Sequence, residues 1–173
     1  INPFTEPYHQ VLTRCAMLGA DMLIDRVLPH YDDYIRKAQS QPAGQYRRAP
    51  KIKSEEGVIT WLSMSARQVA CRFNALGDNP GVYCQVTTPH VTRVNLLQLS
   101  LAEESPLTAV SAAQSPGSVV YDKSRARLLV TCAENSVVQV SRVQLAGRRA
   151  LTAVDFANGQ RLVNGQVYPQ LFQ

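Results

Sequence analysis

The residues of this 173-residue chain that could carry chemistry are four cysteines, three histidines and a surplus of arginine. Cys15, Cys71, Cys84 and Cys132 contain no CxxC pair, and His9, His30 and His90 stand near none of them. A zinc site read from sequence shows paired ligands, so no metal is expected. The cysteines read instead as small apolar side chains in a reducing compartment. The net charge is +5, and 14 of the 18 basic residues are arginine. An arginine fork matches phosphate oxygens in pairs, which makes nucleic acid a reasonable partner, although many basic proteins bind none. Three groups are candidates: the run Arg47, Arg48, Lys51 and Lys53, the adjacent Arg148 and Arg149, and Arg125 with Arg127 on one strand face. Their bland reading is solvated surface charge, while the functional reading is salt-sensitive, sequence-independent phosphate contact. Arg142 is a weaker candidate, because strand parity groups it with Val138 and Val140. Asp155 reads as a helix cap rather than a catalytic acid, with Phe156 beside it as a core anchor.

These residues need elements to position them. Val11, Cys15, Leu18 and Met22 recur at helical spacing within residues 9–28, and Pro29 interrupts the run. A second, more polar helix is expected over residues 30–39. Residues 40–57 lose all periodicity and carry Pro, Gly and basic residues, the composition of an extended strap. Residues 58–61 suggest a short strand. Ser65 and Gln68 form a capping box opening a helix with Val69, Ala70, Phe73 and Leu76 along one side. From residue 82 the period becomes two, predicting strands at 82–86, 91–101, 118–121, 127–132 and 137–145. A parity change near Leu96 and Leu97 suggests a bulge, residues 103–117 read as a loop, and a last helix is expected over 152–158. Trp61 is expected in the core, leaving Tyr83 and Tyr121 as aromatic platforms for a base. The fold class is therefore α+β: a small antiparallel OB-like β-barrel preceded by a capped helix, with an N-terminal helical segment and an extended linker. Nothing approaches the ~18 consecutive apolar residues of a membrane span. The sequence opens on Ile1 without a signal pattern, so a removed presequence or further upstream sequence is expected.

Taken in order, several segments resemble the methionyl-tRNA formyltransferases. Leu18-Gly19-Ala20-Asp21-Met22-Leu23 resembles an LGA-x-LL stretch in the last helix of their catalytic domain. Ala49-Pro50-Lys51-Ile52 is similar to their linker, and Val58-Ile59-Thr60-Trp61 to the strand that follows it. Asn79-Pro80-Gly81 is similar to an NPWPG turn, from which it lacks the Trp. Pro116-Gly117-Ser118-Val119-Val120, Leu128 to Cys132, and the run from Val143 to Phe156 resemble the family's C-terminal strands, with Arg148 and Arg149 standing where the family has two lysines.

The resemblance implies a division into residues 1–39 as a remnant of a catalytic domain, 40–57 as a basic linker, 58–160 as an OB-like RNA-binding domain and 161–173 as a tail. It implies initiator tRNA as partner, with Arg47, Arg48, Lys51, Lys53, Arg125, Arg127, Arg148 and Arg149 as the RNA-binding candidates. The family's catalytic Asn-His-Asp set matches no position here. No catalytic residue and no cofactor is therefore expected on this chain, and 10-formyltetrahydrofolate is implied only by an intact catalytic domain upstream. Arginine richness and drift from the bacterial pattern suggest the mitochondrial matrix. The rival reading is a formyltransferase-derived, non-enzymatic component of the mitochondrial ribosome or its assembly, clamping rRNA or ribosomal proteins.

Overall fold

The computed structural model describes residues 6–40, 42, 44, 48–87 and 90–173. Helix α1 (Tyr8–Met22) runs into a π-helical turn, Leu23–Val27, and a 3-10 turn, Leu28–His30, before α2 (Tyr31–Arg36). The widened turn has a local cause. Pro29 has no N–H to donate and its ring crowds the preceding turn, and the N–H of Leu28 bonds to Leu23 O instead. Asp32 and Asp33 in the first turn of α2 and Arg36 in its last complement the helix dipole. No residue of α1, α2 or the two turns between them is buried, and Leu18, Met22, Ile24 and Leu28 are all more than half exposed.

After the strap, a 3-10 turn at Ser54–Gly57 leads into the sheet domain. The strand expected at residues 58–61 is a single bridge. Val58 pairs in parallel with Tyr83, Ile59 N–H donates to Tyr83 O at 2.8 Å, and the chain then turns, with Ser63 and Met64 N–H both bonding to Thr60 O. Gly57 is required here, since a Cβ would sit 2.0 Å from Gly81 O. Helix α3 (Ala66–Leu76) opens with the expected capping box, Ser65 N–H donating to Gln68 Oε1 at 2.8 Å. Its Val69 and Ala70 are buried.

Strands β1 (Val82–Val86) and β2 (Thr92–Leu101) follow, then α4 (Pro106–Ala112), β3 (Val119–Asp122), β4 (Arg127–Thr131), β5 (Val137–Leu145), β6 (Ala150–Thr152), α5 (Ala153–Gly159) and β7 (Val167–Tyr168). All pairs are antiparallel, in the order β1-β2-β5-β4-β3-β7 with β6 beside β5. The expected bulge is present: the β2–β5 register shifts on both sides of Gln98. The sheet is an open antiparallel array of seven strands, not a ring of continuous pairing. Its C-terminal tail nonetheless reaches β1, where Gln85 and Gln173 exchange two backbone hydrogen bonds of 2.8 Å. Gly117, at φ +85°, lets the tail pass, since its Cβ would lie 2.3 Å from Phe172 O.

One face of the sheet carries the main core. Val82, Cys84 and Val86 alternate inward on β1, as do Val94 and Leu96 on β2 and Val140 and Val143 on β5, against Val69, Phe156 and Phe172. Trp61 is buried, as its sequence position suggested, and its ring stacks 6.1 Å from that of Phe172, which meets Phe156 edge-on at 6.0 Å. The predicted loop at residues 103–117 contains α4, with Ser105 as cap, its Oγ accepting from Thr108 N at 3.1 Å, and Pro106 in the first turn. This helix closes the other face of β3 and β4, where Val120, Leu129 and Val137 form a second core with Leu107 and Val167. That is why β3 and β4 are buried at every residue while β1 and β2 alternate.

Candidate nucleic-acid interface

The two-sided burial of β3 and β4 sorts the candidate cations. Arg127, read from sequence as outward, is only 4% exposed beneath the start of α4. Its Nε donates to Asp122 Oδ2 at 2.9 Å, Nη1 to Gln139 Oε1, and Nη2 to Ser105 Oγ at 3.2 Å. Asp122 also accepts from Ser124 Oγ and from the N–H of Arg125. Burial pushes the Asp122 carboxyl up, but the hydrogen bonds from Ser124, Arg127 and the Arg125 N–H, with the Arg127 charge, outweigh it and leave the group below its ordinary value. Arg127 is therefore an internal ion-pair partner, not a surface contact. Arg125 is half exposed and paired with Glu103 at 3.2 Å. Tyr121 is 4% exposed and offers no platform.

The opposite end of the sheet is different. Past the bulge the parity of β5 changes, so that Val143 is buried and Arg142 is exposed. The grouping of Arg142 with Val138 and Val140 is thereby corrected. Arg142 and Gln144 face outward with Arg93 and Asn95 of β2 and Tyr83 and Gln85 of β1, where Tyr83 pairs with Asn95 and Asn95 with Gln144. Gln144 Nε2 donates to Arg148 O at 2.9 Å, tying the β5–β6 turn to this face. In that turn Arg148 and Arg149 are exposed. They also line a cavity of about 640 Å³ with His90, Leu145 and Phe156. Asp155, on the same cavity wall, is bound to the α5 cap, with Thr152 Oγ1 donating to its Oδ2 and accepting from its N–H.

Strands β1, β2, β5 and β6 and the turn at 146–149 contain no Asp or Glu, and they carry Arg93, Arg142, Arg148 and Arg149. Strands and a turn that carry only positive charge suit a polyanion, and the carboxylate shown beside Arg148 and Arg149, Asp155, is held in the α5 cap. Of the strap cations, Arg48, Lys51 and Lys53 are exposed and without regular structure, and the strap ends at Val58 beside Tyr83. Arg47 lies outside the described residues. The structure thus sets Arg148 and Arg149 in the turn that follows the strand bearing Arg142 and that bonds to Arg93 O through Ala146 N–H, and it sets Arg125 and Arg127 on another part of the sheet, each held by an acid. Arg93 was legible in principle. Alternation along β2 puts Val94 and Leu96 inside, and the absence of acidic residues from four strands can be counted.

Among the described residues no group of three or more His, Cys, Asp or Glu gathers as metal ligands. None of their helices is long and apolar enough to cross a membrane.

Known proteins share this architecture. The family profile described as formyl transferase, C-terminal domain, matches residues 51–161. The chain is 31% identical over 144 residues to the mitochondrial methionyl-tRNA formyltransferase of Bos taurus, covering 82% of this chain and 35% of that protein. It is 31% identical over 153 residues to the methionyl-tRNA formyltransferase of Solibacter usitatus, covering 88% of this chain and 44% of the relative. The human mitochondrial enzyme is 29% identical over 142 residues, 82% of this chain and 36% of its own length. The chain thus spans between a third and a half of the relatives it matches. Among solved structures, a variant of HypX from Aquifex aeolicus superposes with a TM-score of 0.54 at 15% identity, covering 82% of this chain and 24% of HypX, a likeness of fold alone. With its profile match running from the strap through α5, the chain belongs to the family of the formyl transferase C-terminal domain.

Proposed function

We propose that this chain is the tRNA-holding C-terminal part of a methionyl-tRNA formyltransferase acting in mitochondrial translation initiation, and that it grips initiator tRNA through phosphate contacts. The observation that carries the reading is the run of arginines Arg93 on β2, Arg142 on β5, and Arg148 and Arg149 in the β5–β6 turn, elements that themselves contain no carboxylate. The exposed strap cations Arg48, Lys51 and Lys53 extend the positive surface toward β1, and Arg47 keeps its place among the RNA-binding candidates on sequence alone. The β-sheet with its returning tail is read as an OB-like barrel, supported by the hydrogen bonds that the tail makes to β1 and to Gly117. Residues 1–39 are read as the end of a catalytic domain. Exposed Leu18, Met22, Ile24 and Leu28 support that reading, because such a surface calls for a covering partner. The mitochondrial assignment to the matrix rests on the bovine and human relatives.

The formyl donor, 10-formyltetrahydrofolate, is assigned no residue here. Glu103 and Asp155, which line cavities, are engaged by Arg125 and Thr152, and no step of the transfer is routed through the donor. The ribosomal alternative draws no support from the relatives named above, which are enzymes by name.

The test is charge reversal at Arg142, Arg148 and Arg149 together, with affinity for an initiator-tRNA transcript as readout. The reading expects at least a hundredfold loss, from removing about three phosphate contacts. Unchanged affinity with an intact fold removes the face from the account.

A further inference from the structure

The arginines of this face are not alike. Arg142, Arg148 and Arg149 are exposed, whereas Arg93 is half-buried and held at two points. Its Cζ lies 3.5 Å from the centroid of the Tyr83 ring, and its Nε donates to Asn95 Oδ1 at 2.9 Å. An exposed arginine has about 2 kcal/mol of rotamer entropy to lose when it binds. A guanidinium resting on an aromatic ring and tied through Nε has already lost much of it. Both restraints use parts of the group other than its outer fork. Nη1 and Nη2 make no hydrogen bond or ion pair with any described residue. Asn95 and Tyr83 are themselves register partners across β1 and β2, and Gln85 stands directly opposite Arg93. The backbone beneath is fixed as well, because Arg93 O accepts from Ala146 N at 2.9 Å at the start of the turn that bears Arg148 and Arg149.

We propose that Tyr83, Arg93 and Asn95 form a pre-set phosphate clamp, in which the Nη1/Nη2 fork of Arg93 takes two non-bridging oxygens of one RNA backbone phosphate. Tyr83 and Asn95 are positioning residues that hold the fork and do not touch the RNA. This rests on the RNA-binding reading above and adds to it a specific contact and a specific mechanism. A guanidinium fork also fits the edge of guanine. Phosphate is the choice here because exposed Arg142, Arg148 and Arg149, on β5 and the turn whose Ala146 N–H bonds to Arg93 O, draw RNA backbone to this part of the sheet, and the nearby Asp155 is held by Thr152 in the α5 cap.

The experiment measures affinity of the full chain for an unmodified initiator-tRNA transcript, and for two single-stranded RNAs of different sequence, across a salt series. Variants are R93A, R93K, N95A and Y83L, each checked by thermal melting, with R148E/R149E run in parallel. R93A is expected to weaken binding about tenfold on every RNA and to reduce the slope of log affinity against log salt by about 1. R93K is expected to keep the slope, because the charge remains, yet bind several-fold more weakly, because a lysine has no planar fork to be held. N95A and Y83L should copy R93K: weaker affinity, unchanged slope. If Y83L melts early, R93K and N95A decide the matter, since both alter partly exposed side chains. R93K and N95A binding like the wild type would overturn the clamp while leaving the arginine face intact. A loss confined to guanine-containing RNA would overturn the phosphate assignment. A wild type without RNA affinity, or R148E/R149E without effect, would instead remove the RNA-binding reading on which the clamp stands.

Discussion

Replacing Asp122 with Asn isolates the role of Arg127, which sequence parity placed on an RNA-facing surface and the structure places inside. The two side chains are 3% and 4% exposed and 2.9 Å apart. Breaking a buried pair by removing one partner leaves an uncompensated charge and costs about 3–5 kcal/mol. In a domain of this size, each kcal/mol moves the melting midpoint by about 2–4 °C, so the D122N midpoint should fall by about 10 °C at pH 7. Asn keeps an oxygen for Ser124 Oγ and the Arg125 N–H, which Asp122 now accepts, so the loss reports the charge. The folded carboxyl lies below its ordinary value. Its stabilisation is therefore full above the unfolded value, about 4, and disappears as pH falls through the lower folded value. The gap between wild type and D122N should close on acidification. The double variant D122N/R127M, which removes both charges, should recover most of the stability and bind initiator tRNA like the wild type. A D122N cost below about 1 kcal/mol, far under the range for a buried pair, or a gap that does not change with pH, would refute the ion-pair argument. Weakened tRNA binding in the refolded double variant would return Arg127 to the interface.

Two further outcomes follow from the core. Burial pushes the Cys84 and Cys132 thiols up to about 12, while Cys15 is exposed. An alkylating reagent at pH 8 should therefore modify Cys15 in the native protein and reach Cys84 and Cys132 only after denaturation; native-state modification of Cys84, read by peptide mass spectrometry, contradicts the packing. Phe172 is 1% exposed and contacts both Trp61 and Phe156. F172A should cost about 3–5 kcal/mol in chemical denaturation, and a cost under 1 would mean that the tail is not part of the core.

Strands β1, β2 and β5 were legible because one face is buried and the other is not, so that Val82, Cys84 and Val86 alternate with Tyr83 and Gln85. The capping box at Ser65 and Gln68 fixed the start of α3 by local chemistry alone. Arg127 was misplaced by the same rule that succeeded elsewhere. Parity assigns a face but does not say whether that face is wet, and α4, hidden in a segment rich in Ser, Ala and Glu, covers it. The Ser105-Pro106 pair, a cap followed by a first-turn proline, was the available signal for that helix. Arg142 was misassigned because the bulge opposite Gln98 changes parity partway along β5. The tail escaped because Leu171 and Phe172 belong to no periodic run; their burial depends on contacts with residues more than 80 positions away, such as Gln85. Arg148 and Arg149 stood out as a pair in a turn, whereas Arg93 is a lone cation whose surroundings appear only when β1 and β2 are paired.

The measurement that bears most directly on the arginine face is a map of where RNA touches the protein: ultraviolet cross-linking of the full chain to an initiator-tRNA transcript, with the attached peptides identified by mass spectrometry. Cross-links are predicted in the peptides bearing Arg93 and residues 142–149. Cross-links confined to residues 119–131, around the paired Arg125 and Arg127, would contradict it.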